Sequence, residues 1–195
     1  MKLILASASP RRAELLAAAG YAFEIYPTNT DETPQPSETP EAYVQRLALA
    51  KARAVVCSEP AVILGADTTV VLDGDLLGKP ADAADAARML RRLSGRQHEV
   101  VTGVAVRRVP DDVYRLTYER TLVTFDDLSE DWIANYIASG EPFGKAGAYA
   151  IQGRAGARIT RIEGNYQNVV GLPVSTVIRL LSELGSTATG KRADD

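Results

Sequence analysis

Leu3-Ile4-Leu5-Ala6-Ser7-Ala8-Ser9-Pro10-Arg11-Arg12-Ala13-Glu14-Leu15-Leu16 stands near the start of the chain, and its reading decides the fold. The uncharged run Leu3 to Ala6 predicts a buried strand. Ser9 suits a helix N-cap, Pro10 the first helical position, and Leu15, Leu16 and Ala19 an apolar helical stripe. Gly20 closes that helix as a C′ residue, and Tyr21 to Tyr26 alternates as a second strand. Strand, helix, strand is an α/β opening. Arg11 and Arg12 break the local rule, because a cation at a helix N-terminus costs roughly 0.3–1 kcal/mol where an acid would stabilise. Helix N–H groups, serine hydroxyls and two guanidinium forks at one end suit a polyanion, most simply a phosphate chain. Two solvated surface arginines are the plain alternative.

Working outward, Thr28 to Pro40 is a long loop rich in Thr, Pro and Asp, and a helix follows from Glu41 to Cys57 with Tyr43, Leu47, Ala50 and Ala54 on one face. Val62 to Leu72 reads as a strand, Asp73-Gly74 as a hairpin turn and Leu76-Leu77 as the return. A helix is predicted over Ala83–Leu93, then two long strands, Glu99 to Val106 and Leu116 to Phe125, around Pro110-Asp111-Asp112. Ser129 caps a helix running to Ser139 whose first turn carries Glu130 and Asp131, as the helix dipole prefers. Gly144 to Gly156 reads as irregular, Arg158 to Glu163 as a short strand, and Pro173 opens a last helix through Leu184. Residues 185–195 are polar and expected to be disordered.

The 195 residues, 46% of them hydrophobic, suit one domain or two closely merged lobes. A net charge of −3 argues against broad electrostatic binding to nucleic acid or anionic membrane, so any basic site must be local. The one cysteine, Cys57, forms no internal disulfide. Lys2 before Leu3-Ile4-Leu5 superficially resembles a signal peptide, but about four apolar residues fall short of the roughly 7–15 of an h-region. No stretch approaches the roughly 18 uncharged apolar residues of a membrane span. The expectation is a soluble, cytoplasmic protein.

Several residues are candidates for chemistry. Asp67 lies in a run otherwise made of Val, Ile, Leu, Ala and Thr, where an unpaired carboxylate would be too costly to bury. A cation, a divalent metal or an attacking water would partner it, unless it merely caps a turn at the bend that Gly65 permits. Thr68 and Thr69 add hydroxyls beside it. Lys79, before Pro80, stands at a strand exit where an ammonium can reach into a cleft, a solvated lysine being the plain alternative. Lys51, flanked by Arg46 and Arg53, reads as part of a solvated basic helix face. Asp31-Glu32 in the long loop offers oxygen ligands that in a phosphate-handling protein suit Mg²⁺ or Mn²⁺, and that by themselves are plain loop acids. His98 is the sole histidine and no Gly-x-Ser-x-Gly elbow accompanies it, which argues against a serine hydrolase. Cys57 reads as a packing residue, and neither a P-loop nor a Gly-x-Gly-x-x-Gly fingerprint is present. Gln152 carries an amide that donates and accepts at once, matching the N3–H and carbonyl edge of uracil or thymine, among small neighbours that let a base come close; an ordinary loop glutamine is the plain alternative.

In this order the blocks resemble the Maf family of nucleoside triphosphate pyrophosphatases over nearly the whole chain to Leu184. Leu5 to Arg12 looks like the family's opening signature. Gly65-Ala66-Asp67-Thr68, Leu77-Gly78-Lys79-Pro80, Leu93-Ser94-Gly95 and His98 to Gly103 are similar to its central blocks, and Lys145 to Gly153 with Val170-Gly171-Leu172-Pro173 to its C-terminal ones. The Lys-Ala-Gly-Ala-Tyr and Ile-Gln-Gly pattern resembles the branch acting on dTTP and UTP rather than the one acting on 7-methyl-GTP. The resemblance implies a fold similar to inosine triphosphate pyrophosphatases, two α/β lobes around a long mixed sheet with a deep cleft, residues 1–184 forming one Maf-like domain. It implies hydrolysis of a pyrimidine nucleoside triphosphate with a divalent cation, Mg²⁺ or Mn²⁺, held by Glu32 and Asp67. By the same resemblance Asp67 is the general base, and Ser9, Arg11, Arg12, Lys51 and Lys79 grip the triphosphate. Glu32 holds metal or water, and Arg12, Thr68 and Gln152 select the base. Such a substrate brings about four negative charges, more than one arginine can neutralise. A homodimer is a family expectation, with neither nucleic acid nor membrane as partner. A nucleotide-binding regulator of septum formation acting without catalysis is the rival from another class.

Overall fold

Strand β1 (Lys2–Leu5) pairs in parallel with both β2 (Glu24–Ile25) and β3 (Ala61–Leu72), placing Leu5 opposite Ile25 on one side and Leu64 on the other. The computed structural model describes residues 1–185, so the tail expected to be disordered lies, beyond Gly185, outside the described residues. Helix α1 (Pro10–Ala18) links β1 to β2, and α2 (Pro40–Ala54) precedes β3. After β3 come β4 (Asp75–Leu77), α3 (Ala83–Leu93), β5 (Gln97–Val109) and β6 (Tyr114–Phe125). The described chain ends with α4 (Glu130–Ala138), β7 (Ile159–Glu163), α5 (Tyr166–Val170) and α6 (Val174–Glu183). The strands form one mixed seven-stranded sheet in the order β2-β1-β3-β5-β6-β7, with β4 antiparallel on β3 and β7 antiparallel on β6. The α/β opening read from the first strand and helix is thus the observed one.

The chain divides into two compact units, and β3, β5 and β6 contribute residues to each. The first comprises residues 1–67, 102–119 and those from Gly171 onward. Its core follows from the two-residue period of a strand. Leu3 and Leu5 of β1, Val62 and Leu64 of β3, and Val104 and Val106 of β5 join Leu16 of α1 with Val177, Leu180 and Leu181 of α6. The intervening residues Ile4, Ala61, Ile63 and Ala105 join Ala48 and Ala52 of α2. Helices therefore cover both faces, which is why residues 3–5 of β1 and 61–66 of β3 are all non-polar. Gly20 ends α1 at φ +84°, its N–H bonded to Ala17 O at 2.9 Å. The second strand is shorter than its alternation suggests, only Glu24–Ile25.

Two glycines set how closely α2 lies on the sheet. A Cβ on Gly65 would collide with the Ala48 carbonyl oxygen and lie 2.9 Å from Ala52 N, and a Cβ on Gly103 would collide with the Val44 carbonyl. Gly65 thus serves close approach within β3 rather than the bend it could have permitted. Gly65→Ala must push α2 outward, with an overpacking cost of about 1–3 kcal/mol. A melting temperature lower by roughly 3–10 °C is expected in a thermal denaturation scan, and an unchanged one would contradict the close approach.

The second unit comprises residues 68–101 and 120–170. Asp73 and Gly74, at φ 55° and 84°, make the tight β3–β4 turn their sequence predicts. Asp82 caps α3 through a 2.8 Å bond from Asp85 N, and Ser129 caps α4 through a 3.2 Å bond from Trp132 N. His98 stacks on Phe125 and meets Tyr149 edge-on, with 5.5 Å between ring centroids in each pair, and its Nε2 lies 2.8 Å from the Tyr149 hydroxyl. Burial pushes His98 down to about 4, so it stays a neutral packing residue. Helix α5, unanticipated from the sequence, seats a buried Asn168 whose Nδ2 donates to Val100 O and Thr121 Oγ1, each at 3.0 Å.

Candidate functional site

The strand alternation that sends Ala61, Ile63 and Gly65 toward α2 also sends Asp67 there, at the point where β3 leaves the first unit. Asp67 is 7% exposed. Its partner is a cation on α2, Lys51, whose Nζ donates to Asp67 Oδ1 at 2.5 Å and to Glu32 Oε1 at 2.8 Å. The buried stripe of α2 is Val44, Leu47, Ala48, Lys51 and Ala52, so Lys51 does not belong to the solvated basic face expected of it. It lies on the face against the sheet, because only a buried carboxylate beneath the helix gives an ammonium reason to be there.

Glu32 reaches this point because α2 also holds the long loop. The Tyr43 hydroxyl donates to Glu32 O at 2.8 Å, and Arg46 Nη2 donates to Thr33 O at 3.1 Å. Arg46 also clasps Glu38 with two bonds, of 2.6 and 2.7 Å. Burial, assisted by the Asp67 and Glu32 carboxylates, pushes Tyr43 up to about 12, so its hydroxyl remains a donor. Tyr43 and Arg46 escaped notice as loop anchors because each reads as an ordinary helix residue. The pair Asp31-Glu32 does not act together: Asp31 is exposed and accepts from Thr33 N at 2.9 Å.

The two arginines of α1 diverge. Arg12 Nε donates to Gly171 O at 2.8 Å, and its Nη1 to Ala66 O at 2.8 Å and Ser7 Oγ at 3.3 Å. Burial lowers Arg12 from its ordinary value, opposed by the attraction of Asp67. Three acceptor oxygens thus offset the dipole penalty at this helix end. Arg11 is half-buried, and burial is what lowers it. Ser9 occupies the N-cap position, but its side chain makes no capping bond; its N–H donates instead to Ser7 Oγ at 3.2 Å. Ser7, buried and accepting from both Ser9 and Arg12, was overlooked beside Ser9.

Ser7, Ser9, Arg11, Arg12, Glu32, Lys51 and Asp67 all belong to the first unit. Thr68, Lys79 and Gln152 belong to the second. Thr68 is half-buried in β3, and Lys79 is exposed just after β4, where Gly147 N bonds Gly78 O at 3.1 Å. Gln152 is exposed between the buried Ile151 and Gly153, in the irregular stretch expected. Among the described residues no three His, Cys, Asp or Glu side chains gather as a metal cluster, and no helix is long and apolar enough to cross a membrane.

Residues 2–184 match the family described as Maf-like protein, and the chain belongs to that family. A relative from Moorella thermoacetica, 53% identical over 97% of this chain and 98% of its own, is named dTTP/UTP pyrophosphatase. Relatives from Symbiobacterium thermophilum, 51% identical over 94% of each chain, and Syntrophus aciditrophicus, 47% identical over 99% of this chain and 95% of its own, carry the same name. Among solved structures, the Staphylococcus aureus Ham1 protein aligns with a TM-score of 0.42 and 14% identity, covering 64% of this chain and 72% of that one.

Proposed function

We propose that the protein is a nucleoside triphosphate pyrophosphatase that hydrolyses dTTP and UTP to the nucleoside monophosphate and pyrophosphate, with residues 1–184 acting as one Maf-like domain in the cytoplasm. The observation that carries the reading is the buried Asp67 carboxylate, paired to Lys51 and joined through it to Glu32. The name shared by relatives at about half identity supports the same reaction. In it Asp67 accepts the proton of a water whose oxygen bonds the α-phosphorus, while the bond from that phosphorus to the bridging oxygen breaks and pyrophosphate leaves. Lys51 supplies the counter-charge that lets a carboxylate wait in a buried place. Arg11 with Ser9 and Lys79 is assigned to the phosphate chain, and Arg12, Thr68 and Gln152 to the base.

The donor set fits a divalent cation: Glu32 and Asp67 present hard carboxylate oxygens to one point of positive charge, and phosphate oxygens would complete the shell, as Mg²⁺ prefers. When bound there, Mg²⁺ or Mn²⁺ would supply neutralisation of phosphate charge and acidify a coordinated water. Incubating the purified protein with each common nucleoside triphosphate and Mg²⁺ or Mn²⁺ is expected to yield monophosphate and pyrophosphate from dTTP and UTP above all others. Orthophosphate as the first product, preference for a purine such as 7-methyl-GTP, or no turnover would refute the reading.

A further inference from the structure

Gln152 alone cannot choose a base. A glutamine amide that turns over matches the N3 and N4 edge of cytosine as well as it matches uracil, so selection requires that its backbone be held still. The second unit contains the means. Tyr136 of α4 is 1% exposed, its ring stacked on Trp132 at 4.8 Å. Its hydroxyl donates to Glu141 Oε1 at 2.8 Å and accepts from Ala150 N at 3.2 Å. The other carboxylate oxygen, Glu141 Oε2, accepts from Arg154 N at 3.2 Å. The two backbone N–H groups that bracket Ile151-Gln152-Gly153 are therefore both tied to one Tyr136–Glu141 pair. Gly153 N closes a turn on Ala150 O at 3.1 Å, and Ile151 is buried, leaving Gln152 as the residue presented outward.

Glu141 is itself seated. Its N–H donates to Ser139 Oγ at 3.3 Å, and Lys145 Nζ donates to its carbonyl at 3.2 Å. Its carboxylate lies directly beneath Gly153, where any Cβ would collide with it. Gly153 has φ −104°, which every residue can adopt, so what excludes a side chain there is the carboxylate and not the backbone. On the other flank the His98 contact holds the hydroxyl of Tyr149. Burial pushes Tyr136 upward, which keeps its proton available for the carboxylate.

We propose that Glu141 is a positioning residue for Gln152: through Tyr136 and Arg154 N it holds the segment that distinguishes thymine and uracil from cytosine. This rests on the reading of Gln152 as a base-contacting residue. The test compares kcat and KM for dTTP and dCTP, with melting temperatures, in wild type, Glu141→Ala, Glu141→Gln, Gly153→Ala, Tyr136→Phe and Gln152→Ala. Glu141→Ala is expected to lower the dTTP to dCTP ratio of kcat/KM by about tenfold, through a higher KM for dTTP with kcat little changed. Glu141→Gln should restore most of that ratio, because its amide oxygen can take the Arg154 N–H while its NH₂ faces the Tyr136 oxygen. Gly153→Ala, by displacing the carboxylate, should reproduce Glu141→Ala, and together with Tyr136→Phe it carries the test if Glu141→Ala does not fold.

A ratio that falls in Gln152→Ala but holds in Glu141→Ala, Gly153→Ala and Tyr136→Phe overturns the positioning role alone. So do equal losses for both nucleotides. A wild type without preference for dTTP, or an unchanged ratio in Gln152→Ala, overturns the base reading and the positioning role with it.

Discussion

Asp67→Asn is expected to lower the turnover of dTTP and UTP by about a thousandfold, in the middle of the 10²–10⁴ that a general base contributes. The substitution keeps size and shape and removes the group that can take the proton of water. KM should rise less than kcat falls, because Asp67 also helps to hold the cation that the phosphate chain would share. The fold should persist. Lys51 keeps its 2.8 Å bond to Glu32, and an asparagine carbonyl can accept from the same ammonium. Steady-state hydrolysis measured beside thermal melting separates the two effects. A folded variant within about threefold of the wild-type rate would remove Asp67 from the reaction, since so small a change is worth less than 1 kcal/mol of barrier. The same protein also separates catalysis from binding in the cell: if it reproduces a wild-type effect on division, nucleotide binding and not hydrolysis is what matters there.

How much of this was legible in the sequence depends on whether a feature is local. Leu3 to Leu5, the span of α3, the Ser129 cap of α4 and the Asp73-Gly74 turn are written in neighbouring residues, and the structure repeats them. Asp67 could be flagged because a carboxylate in an apolar run contradicts its surroundings over a few residues. Its partner could not be identified in the same way. Lys51 stands 16 residues away in another element, and only the packing of α2 on β3 reveals that they meet. Gly65 and Gly103 govern that packing, yet a glycine in a strand reads equally as a bend, a bulge or a close approach. The stripe expected on α2, Tyr43, Leu47, Ala50 and Ala54, shares Leu47 with the observed one, which is turned so that Lys51 meets Asp67. Arg11 and Arg12 look alike in sequence, and it is the carbonyls of Ala66 and Gly171, distant along the chain, that make Arg12 a staple. Helix α5 was missed because its five residues carry too little periodicity to register.

Lys51→Met tests the buried pair directly. The methionine keeps an unbranched apolar stem among Leu47, Ala48 and Ala52 and removes only the charge, so the loss is electrostatic and not a cavity. Removing one partner of a buried ion pair costs about 3–5 kcal/mol, and the lower end applies because Glu32 is 38% exposed and contributes little. At roughly 2–4 °C per kcal/mol, a melting temperature lower by about 6–12 °C is expected. Activity should fall as well, because the ammonium that holds Asp67 and Glu32 together is gone. The combination Lys51→Met with Asp67→Asn removes both charges and leaves no isolated carboxylate buried at position 67. It should melt higher than Lys51→Met alone, the double-mutant sign of a coupled pair. A double variant melting no higher than the single one would mean that Lys51 is held in place by α2 packing, with Asp67 a bystander.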